Sequence, residues 1–165
     1  MYQRILVALE NSGYDRAILA HVRELARMCG ASLVLIHVAD GFVARNMKQL
    51  QLRESEELRK DGAYLDRMAA QLCAEGFDAE GLLAAGDPPT EILAAVERER
   101  CDLIAMAMHG HRFLKDMLYG SVVEAVRHRV NVPVLLVRGE PYPPDVQGGA
   151  CRAARSRSRL RSRIT

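Results

Sequence analysis

Residues 102–121 read DLIAMAMHGHRFLKDMLYGS. They open with a short apolar run, Leu103 to Met108, whose length and composition are typical of a fully buried parallel strand. A loop containing Gly110 follows, and Gly120-Ser121 stands just before a helical pattern that continues to residue 129. Glycine lets backbone N–H groups approach an anion, and a helix N-terminus adds unpaired donors. A strand, a glycine loop and a helix start in this order therefore predict a cradle for an anion such as phosphate.

The rest of the chain alternates strand and helix patterns around this stretch. Four more apolar runs predict strands, over residues 4–9, 32–39, 77–85 and 132–137. Helical periodicity predicts helices over residues 15–29, within residues 40–75 after a loop, over residues 90–98 and over residues 121–129. The apolar face expected for the first helix consists of Ile18, Val22, Leu25 and Met28.

This alternation of five strands and four helices predicts an α/β fold. We expect a single open, doubly wound sheet of five parallel strands in the order 3-2-1-4-5, with helices on both faces, because crossovers between parallel strands are right-handed. The expected core residues are Leu6, Val34, Leu35, Ile104 and Leu135.

The charge of the chain is unevenly distributed. It has 165 residues, of which 49% are hydrophobic, and it carries 23 basic and 21 acidic residues. Six of the basic residues are arginines between positions 152 and 163, so 17 basic and 21 acidic residues remain without them, a net charge of −4. The length predicts one folded domain, and its mildly acidic charge argues against a broad nucleic-acid surface.

The composition changes after residue 138. Residues 139–165 contain prolines and glycines without periodicity and then the Arg/Ser run, which predicts a disordered tail after a domain of residues 1–138. The clustered arginines offer the one route to nucleic acid; a tail with little function is the alternative. The sequence has no apolar run that could span a bilayer and no signal-peptide cleavage region, so it predicts a soluble cytoplasmic protein that binds no membrane.

Several kinds of chemistry are disfavoured by spacing. The four cysteines are scattered without CxxC or Cys/His ligand spacing, and no third ligand joins His109 and His111, so we expect reduced packing thiols and no metal site. Glu10 and Asp87 do not form a paired-carboxylate pattern. Walker A, GxSxG, GxGxxG, SGGxDS and HIGH motifs are absent, which argues against the enzyme classes that use them.

The segment MAMHGHRFLKDMLYGSVVEAV, residues 106–126, resembles the universal stress protein family. Residues 5–12, 33–38 and 86–88 share the resemblance, which covers about residues 2–138. Nucleotide-binding members share the pattern Gly-x2-Gly-x9-Gly-Ser/Thr after the fourth strand, whereas this chain has Ala107-x2-Gly110-x9-Gly120-Ser121. The resemblance implies the Rossmann-like fold of the adenine-nucleotide α-hydrolase type.

The resemblance also implies a site for ATP or another adenine nucleotide, with Mg²⁺ as an option when ATP is bound. The family's first strand ends in Pro-x-Asp, whose backbone edges the adenine and whose carboxylate faces the ribose; this chain has Ala8-Leu9-Glu10 there. Val38 matches the position whose backbone reads the adenine edge, while Met106 and Ala107 match residues that line the base and ribose. The positions expected to hold the phosphates are Gly110, Gly120, Ser121 and Val122, with His111 as a phosphate-facing loop donor.

Two functions stay open at this level. The first is a nucleotide-binding stress-response regulator with at most slow ATP hydrolysis. The second is a dimeric interaction protein of the same family that binds no nucleotide, in which the glycines are turns, Ser121 is only a helix cap and Ala107 marks lost binding. For either function the resemblance implies a homodimer that pairs through the last strand, at Val132, Val134 and Leu136.

Overall fold

The computed structural model describes residues 1–40, 51–108 and 117–138 of the chain. Strands and helices alternate along these residues, as the hydrophobic pattern predicts. The elements are β1 Arg4–Ala8, α1 Asp15–Cys29, β2 Ser32–Asp40, α2 Gln51–Ala74, β3 Ala79–Gly86, α3 Pro88–Arg98, β4 Leu103–Met108, α4 Met117–Arg129 and β5 Val134–Arg138.

The strands form one sheet in the order β3-β2-β1-β4-β5, and every neighbouring pair is parallel. The register aligns Leu6 of β1 with Val34 of β2 and with Ile104 of β4. The predicted α/β fold, strand order and parallel pairing are therefore confirmed.

Apolar side chains cover both faces of the sheet, because successive residues of a strand point to opposite faces. On the α1/α2 side, Leu35 packs with Ile18 of α1 and Leu65 of α2. On the α3/α4 side, Leu6 packs with Ile92 of α3 and Val126 of α4. A layer of helices on each face makes the sheet the centre of the molecule.

Most of the predicted core residues are buried, and two apolar positions are not. Leu6, Val34, Leu35 and Ile104 are at most 1% exposed. Leu135 is only half-buried because β5 lies at the edge of the sheet and has a neighbour on one side. Met28 is 83% exposed, so the buried face of α1 ends before it, although the helical spacing had included it.

Two element boundaries differ from the predicted ones at the end of the chain. The last strand begins at Val134 instead of residue 132, since Pro133 has no N–H to donate to a ladder. Val132 therefore precedes the strand and packs against the core on the α3/α4 side. Helix α4 begins at Met117 instead of residue 121, because Met and Leu are good helix formers and a single glycine is tolerated inside a helix.

None of the helices in these ranges is both long enough and apolar enough to cross a lipid bilayer.

Candidate functional site

The carboxyl end of the sheet contains a gap because its central strand is short. Strand β1 ends at Ala8, which is in register with Ile36 of β2 and Met106 of β4. Strand β2 continues four residues further to Asp40, and β4 continues two residues further to Met108. We call the space beyond Ala8 between β2 and β4 the notch. It lies at the point where the strand order reverses, which is where open α/β sheets bind ligands.

The backbone of Val38 faces the notch. Alternate residues of a strand inside a parallel sheet bond to opposite neighbours. The carbonyl of Ile36 accepts a hydrogen bond from the N–H of Leu9 on the β1 side (2.8 Å), whereas the N–H of Leu33 donates to the carbonyl of Asp78 on the β3 side (2.8 Å). Val38 is two residues beyond Ile36, so its N–H and C=O point to the β1 side, where β1 has already ended.

Ala107 borders the notch through its backbone, while its methyl group points away from α4. The N–H of Ile104 donates to the carbonyl of Pro133 on the β5 side (3.0 Å), so the backbone of Ala107, three residues further, faces the β1 side. The side chain of Ala107 is 6% exposed and belongs to the core on the α1/α2 side, as does that of Leu9.

Four of the predicted site residues pack together on the α3/α4 side of the notch. Met106 and Val122 are 5% and 8% exposed, and Ala8 and Val38 lie against them. These side chains form an apolar wall of the kind that lines sites for flat organic ligands. The structure thus brings together residues from β1, β2, β4 and α4.

The loop between β1 and α1 is organised by Asp15, a residue that the sequence analysis did not single out. Its Oδ1 accepts a hydrogen bond from the N–H of Glu10 (3.0 Å), and its Oδ2 accepts from the N–H of Ser12 (3.1 Å). The hydroxyl of Tyr64 on α2 also donates to Oδ2 (2.7 Å). Asp15 is 2% exposed and lies in the first turn of α1, where the helix dipole favours a negative charge.

Tyr64 remains a hydrogen-bond donor over the whole physiological pH range. Burial of its ring raises the pKa of the Tyr64 hydroxyl well above its usual value, and the negative charge of Asp15 raises that pKa further. The hydroxyl therefore keeps its proton, and that proton goes to the Asp15 carboxylate.

A second polar cluster ties the same loop to β2 and α2. Nδ1 of His37 lies 2.9 Å from the carbonyl oxygen of Leu9, and because a carbonyl only accepts, Nδ1 carries the hydrogen of this bond. Nε2 of His37 lies 3.3 Å from Oδ2 of Asp61. The side-chain amide of Asn11 donates to the other oxygen of Asp61 (3.0 Å).

These contacts define which backbone groups remain for a ligand at the end of β1. The N–H of Leu9 donates to β2, and the N–H of Glu10 donates to Asp15. A ligand beside this turn would therefore meet carbonyl oxygens and the Glu10 side chain, whereas Val38 offers both a donor and an acceptor.

The predicted phosphate positions are divided between described and undescribed residues. Gly110 and His111 lie outside the described ranges. Gly120 and Ser121 lie inside α4, so the sequence-based assignment of Ser121 to the helix start is wrong. The first four N–H groups of a helix lack intrahelical partners, which leaves Gly120 in the first turn of α4 and Ser121 just beyond it.

No metal centre is visible in the part of the chain that the structure describes. No three of its His, Cys, Asp and Glu side chains are grouped as metal ligands.

Comparison with protein families gives a match over residues 1–138 to the model of the universal stress protein family. A universal stress protein A homolog of Haemophilus ducreyi is 31% identical over 144 residues, which cover 83% of this chain and 96% of that protein. A universal stress protein of Methanocaldococcus jannaschii is 28% identical over 158 residues, which cover 84% of this chain and 96% of that protein.

Solved structures have the same fold. The structure of the Methanocaldococcus jannaschii protein superposes with a TM-score of 0.71 at 28% identity and covers 85% of this chain and 98% of its own. A universal stress protein from Archaeoglobus fulgidus, solved in complex with dAMP, has a TM-score of 0.58 at 22% identity, with 82% and 98% covered. A universal stress protein solved in complex with cAMP has a TM-score of 0.62 at 21% identity, with 83% and 97% covered.

Proposed function

Because the chain belongs to the universal stress protein family, we propose that it is a stress-response protein that binds an adenine nucleotide in the notch. The observation that carries the proposal is the direction of the Val38 backbone, whose N–H and C=O face the space that β1 leaves open. Adenine carries a ring-nitrogen acceptor beside an amino donor, so one residue with a neighbouring donor and acceptor can match its edge. This recognition uses no side chain.

The surroundings of the notch suit the rest of such a ligand. Ala8, Met106 and Val122 supply an apolar wall for the base. The start of α4 supplies N–H groups and a positive dipole end for phosphate oxygens, and Gly120 lies in its first turn. The predicted partners Gly110 and His111 precede this helix in the chain.

Two solved relatives support the class of ligand. One was solved with dAMP and another with cAMP, which share the adenine base and differ in sugar and phosphate. For this chain we expect ATP or a related adenine nucleotide, with Mg²⁺ accompanying ATP.

Alanine at the first glycine position of the family pattern is compatible with this proposal. The Ala107 methyl lies in the core on the α1/α2 side, whereas α4 and the apolar wall lie on the other face of the sheet. A nucleotide that lies against α4 would meet the Ala107 backbone and not its methyl. We therefore expect Ala107→Gly to leave nucleotide affinity close to that of the parent.

Calorimetric titration of the parent and of Gly120→Val with ATP, ADP, AMP and cAMP tests the proposal. A valine in the first turn of α4 would occupy space next to the phosphates and remove one or two hydrogen bonds to charged oxygens. Each such bond is worth about 1.5–3 kcal/mol, so affinity should fall by roughly tenfold to a thousandfold.

Glu124→Val is the matched control, because it places the same side chain on the exposed face of α4 one turn further along. It should bind like the parent. A parent protein without measurable affinity for any of the four nucleotides would contradict the proposal and favour the interaction-only member of the family.

A further inference from the structure

Helix α2 reaches the end of β1 although it contributes none of the predicted site residues. It packs against β2 and β3 on one face of the sheet. Two of its residues, Asp61 and Tyr64, are three positions apart and therefore project from the same side of the helix. Both bind the loop between β1 and α1, Asp61 through Asn11 and Tyr64 through Asp15.

Asp15 converts the contact with Tyr64 into an orientation of Glu10. One carboxylate oxygen accepts the Glu10 N–H, and the other accepts both the Ser12 N–H and the Tyr64 hydroxyl. Fixing both oxygens fixes the carboxylate plane, and the carboxylate in turn fixes the peptide plane that precedes the Glu10 side chain. Within the described residues, Asp15 is the one charged side chain that the fold buries.

We propose that Asp15, held by Tyr64, is a positioning residue that directs the Glu10 carboxylate toward the ribose hydroxyls of the bound nucleotide. The inference rests on the proposed function, since it concerns the sugar of the same ligand. It goes further by giving α2 a part in recognising ribose and by naming two residues that touch no part of the nucleotide.

The length of the Glu10 side chain is the reason that positioning matters. Glutamate has one more rotatable bond than aspartate, so more side-chain freedom is lost when its carboxylate is held against a hydroxyl. A fixed backbone at Glu10 reduces the volume in which the carboxylate can lie. The raised pKa of Tyr64 keeps its hydroxyl a donor to Asp15, which preserves the arrangement across physiological pH.

The test uses Tyr64→Phe and Asp15→Asn. Tyr64→Phe removes one hydroxyl and keeps the ring, and Asp15→Asn keeps the shape of the side chain but replaces one acceptor by a donor. Affinities for AMP and for 2′,3′-dideoxy-AMP are measured by calorimetry on the full chain. The ratio of the two affinities reports the ribose hydroxyls alone.

In the parent we expect AMP to bind more tightly by roughly tenfold to a hundredfold, the value of one hydrogen bond to a charged group. Both variants should lower this ratio at least about threefold, which is part of that single bond. Tyr2→Phe, which removes a hydroxyl at the opposite end of β1, should leave the ratio unchanged. A purely structural role would weaken both nucleotides by one factor and leave the ratio as it was.

A double-mutant cycle identifies the route. If Tyr64 acts through Glu10, Tyr64→Phe should change the ratio in the parent and have no effect on it in a Glu10→Gln background. Amide hydrogen exchange of Glu10 and Ser12 should also accelerate in Tyr64→Phe without nucleotide. An effect that persists in Glu10→Gln, or a ratio that changes without faster exchange, would overturn the inference.

The possible failures can be told apart. If the parent binds AMP but the ratio is the same in parent and variants, the role of Asp15 is refuted and nucleotide binding stands. If the parent binds neither nucleotide, the proposed function fails and this inference fails with it.

Discussion

Asp15 is a carboxylate that the fold almost completely removes from water. Burying a charge costs free energy unless hydrogen bonds replace the lost hydration, and here three donors and the positive end of α1 do so. Two of the donors are local, but Tyr64 is 49 positions away in the sequence. The sequence shows Asp15 only as an acidic residue at a helix start, so its role could not be predicted.

Ala107 illustrates the opposite case, in which the sequence raised a question that local geometry answers. The family pattern shows that a glycine is replaced, but it does not show where the methyl points. Side chains alternate along β4, and Ala107 falls on the same face as Leu103 and Ala105. That face is the one opposite α4, so the substitution changes the core more than the notch.

Cys101 should be the least reactive of the described cysteines. Burial raises the pKa of its thiol from an ordinary 9.0 to about 11, so roughly one molecule in a thousand carries the thiolate at pH 8. Cys73 is exposed. Labelling with N-ethylmaleimide at pH 8 followed by peptide mass spectrometry should modify Cys73 much faster than Cys101.

The sign of the pH effect is also defined. The folded state favours the protonated thiol, so the stability from this group is complete below pH 9 and is lost as pH rises through 11. Labelling of Cys101 at native pH as fast as that of Cys73 would contradict the assignment.

Among the elements, the best predicted are those whose ends carry a clear signal. Helix α1 has the predicted bounds and ends before Gly30, which adopts a left-handed backbone conformation (φ 67°). Strand β4 also has the predicted bounds. At α4 the Gly120-Ser121 pair resembles a helix start, but the residues before it are helical as well. Glycine and serine mark ends only statistically, which explains this error.

Two glycines at the contact between α2 and β3 should respond oppositely to alanine. A methyl on Gly81 would lie 3.1 Å from Cβ and 3.4 Å from the backbone carbon of Leu65, which is buried in the α2 helix. A methyl on Gly62 would meet only Leu83 at an ordinary 3.7 Å. The helix backbone cannot give way as a flexible side chain can.

We therefore expect Gly81→Ala to lower the free energy of unfolding by about 1–3 kcal/mol through overpacking. Gly62→Ala should raise it by up to about 1 kcal/mol, because alanine favours the interior of a helix. Urea denaturation of both variants measures the two changes. Equal effects in the two variants would show that α2 and β3 do not pack as described.

At the scale of the whole molecule, the strand order was predictable because it follows from alternation and crossover handedness. The notch was not predictable in shape. It depends on the difference in length between β1 and β2 and on their register, and the sequence pattern blurs strand ends by one or two residues. Sequence analysis placed β1 one residue too long, at residues 4–9, and β2 one residue too short, at residues 32–39, which would make the notch shallower.

A homodimer through β5 remains a prediction of the family resemblance, now with a sharper test. Strand β5 is at the edge of the described sheet, and the carbonyl of Pro133 bonds to β4. Alternation then turns the N–H groups of Val134 and Leu136 outward, where a second copy could pair. Val132 precedes the strand and is no longer expected to take part.

Leu136→Pro removes one outward N–H and no bond to β4, so it should shift the protein from dimer to monomer in sedimentation velocity. Leu136→Ala also removes the leucine side chain but keeps the N–H, and it should stay dimeric. A dimer that survives Leu136→Pro would exclude pairing through this strand.

The early end of β1 has a consequence for how such a protein can diverge over evolutionary time. Every residue carries a main-chain N–H and C=O except proline, so almost any substitution at Val38 leaves intact the groups that face the notch. A chain can then drift to 28% identity with a relative and keep the same recognising edge. Selection on this edge acts on the number of residues between strand ends, and an insertion that lengthened β1 by two residues would do more damage than most replacements.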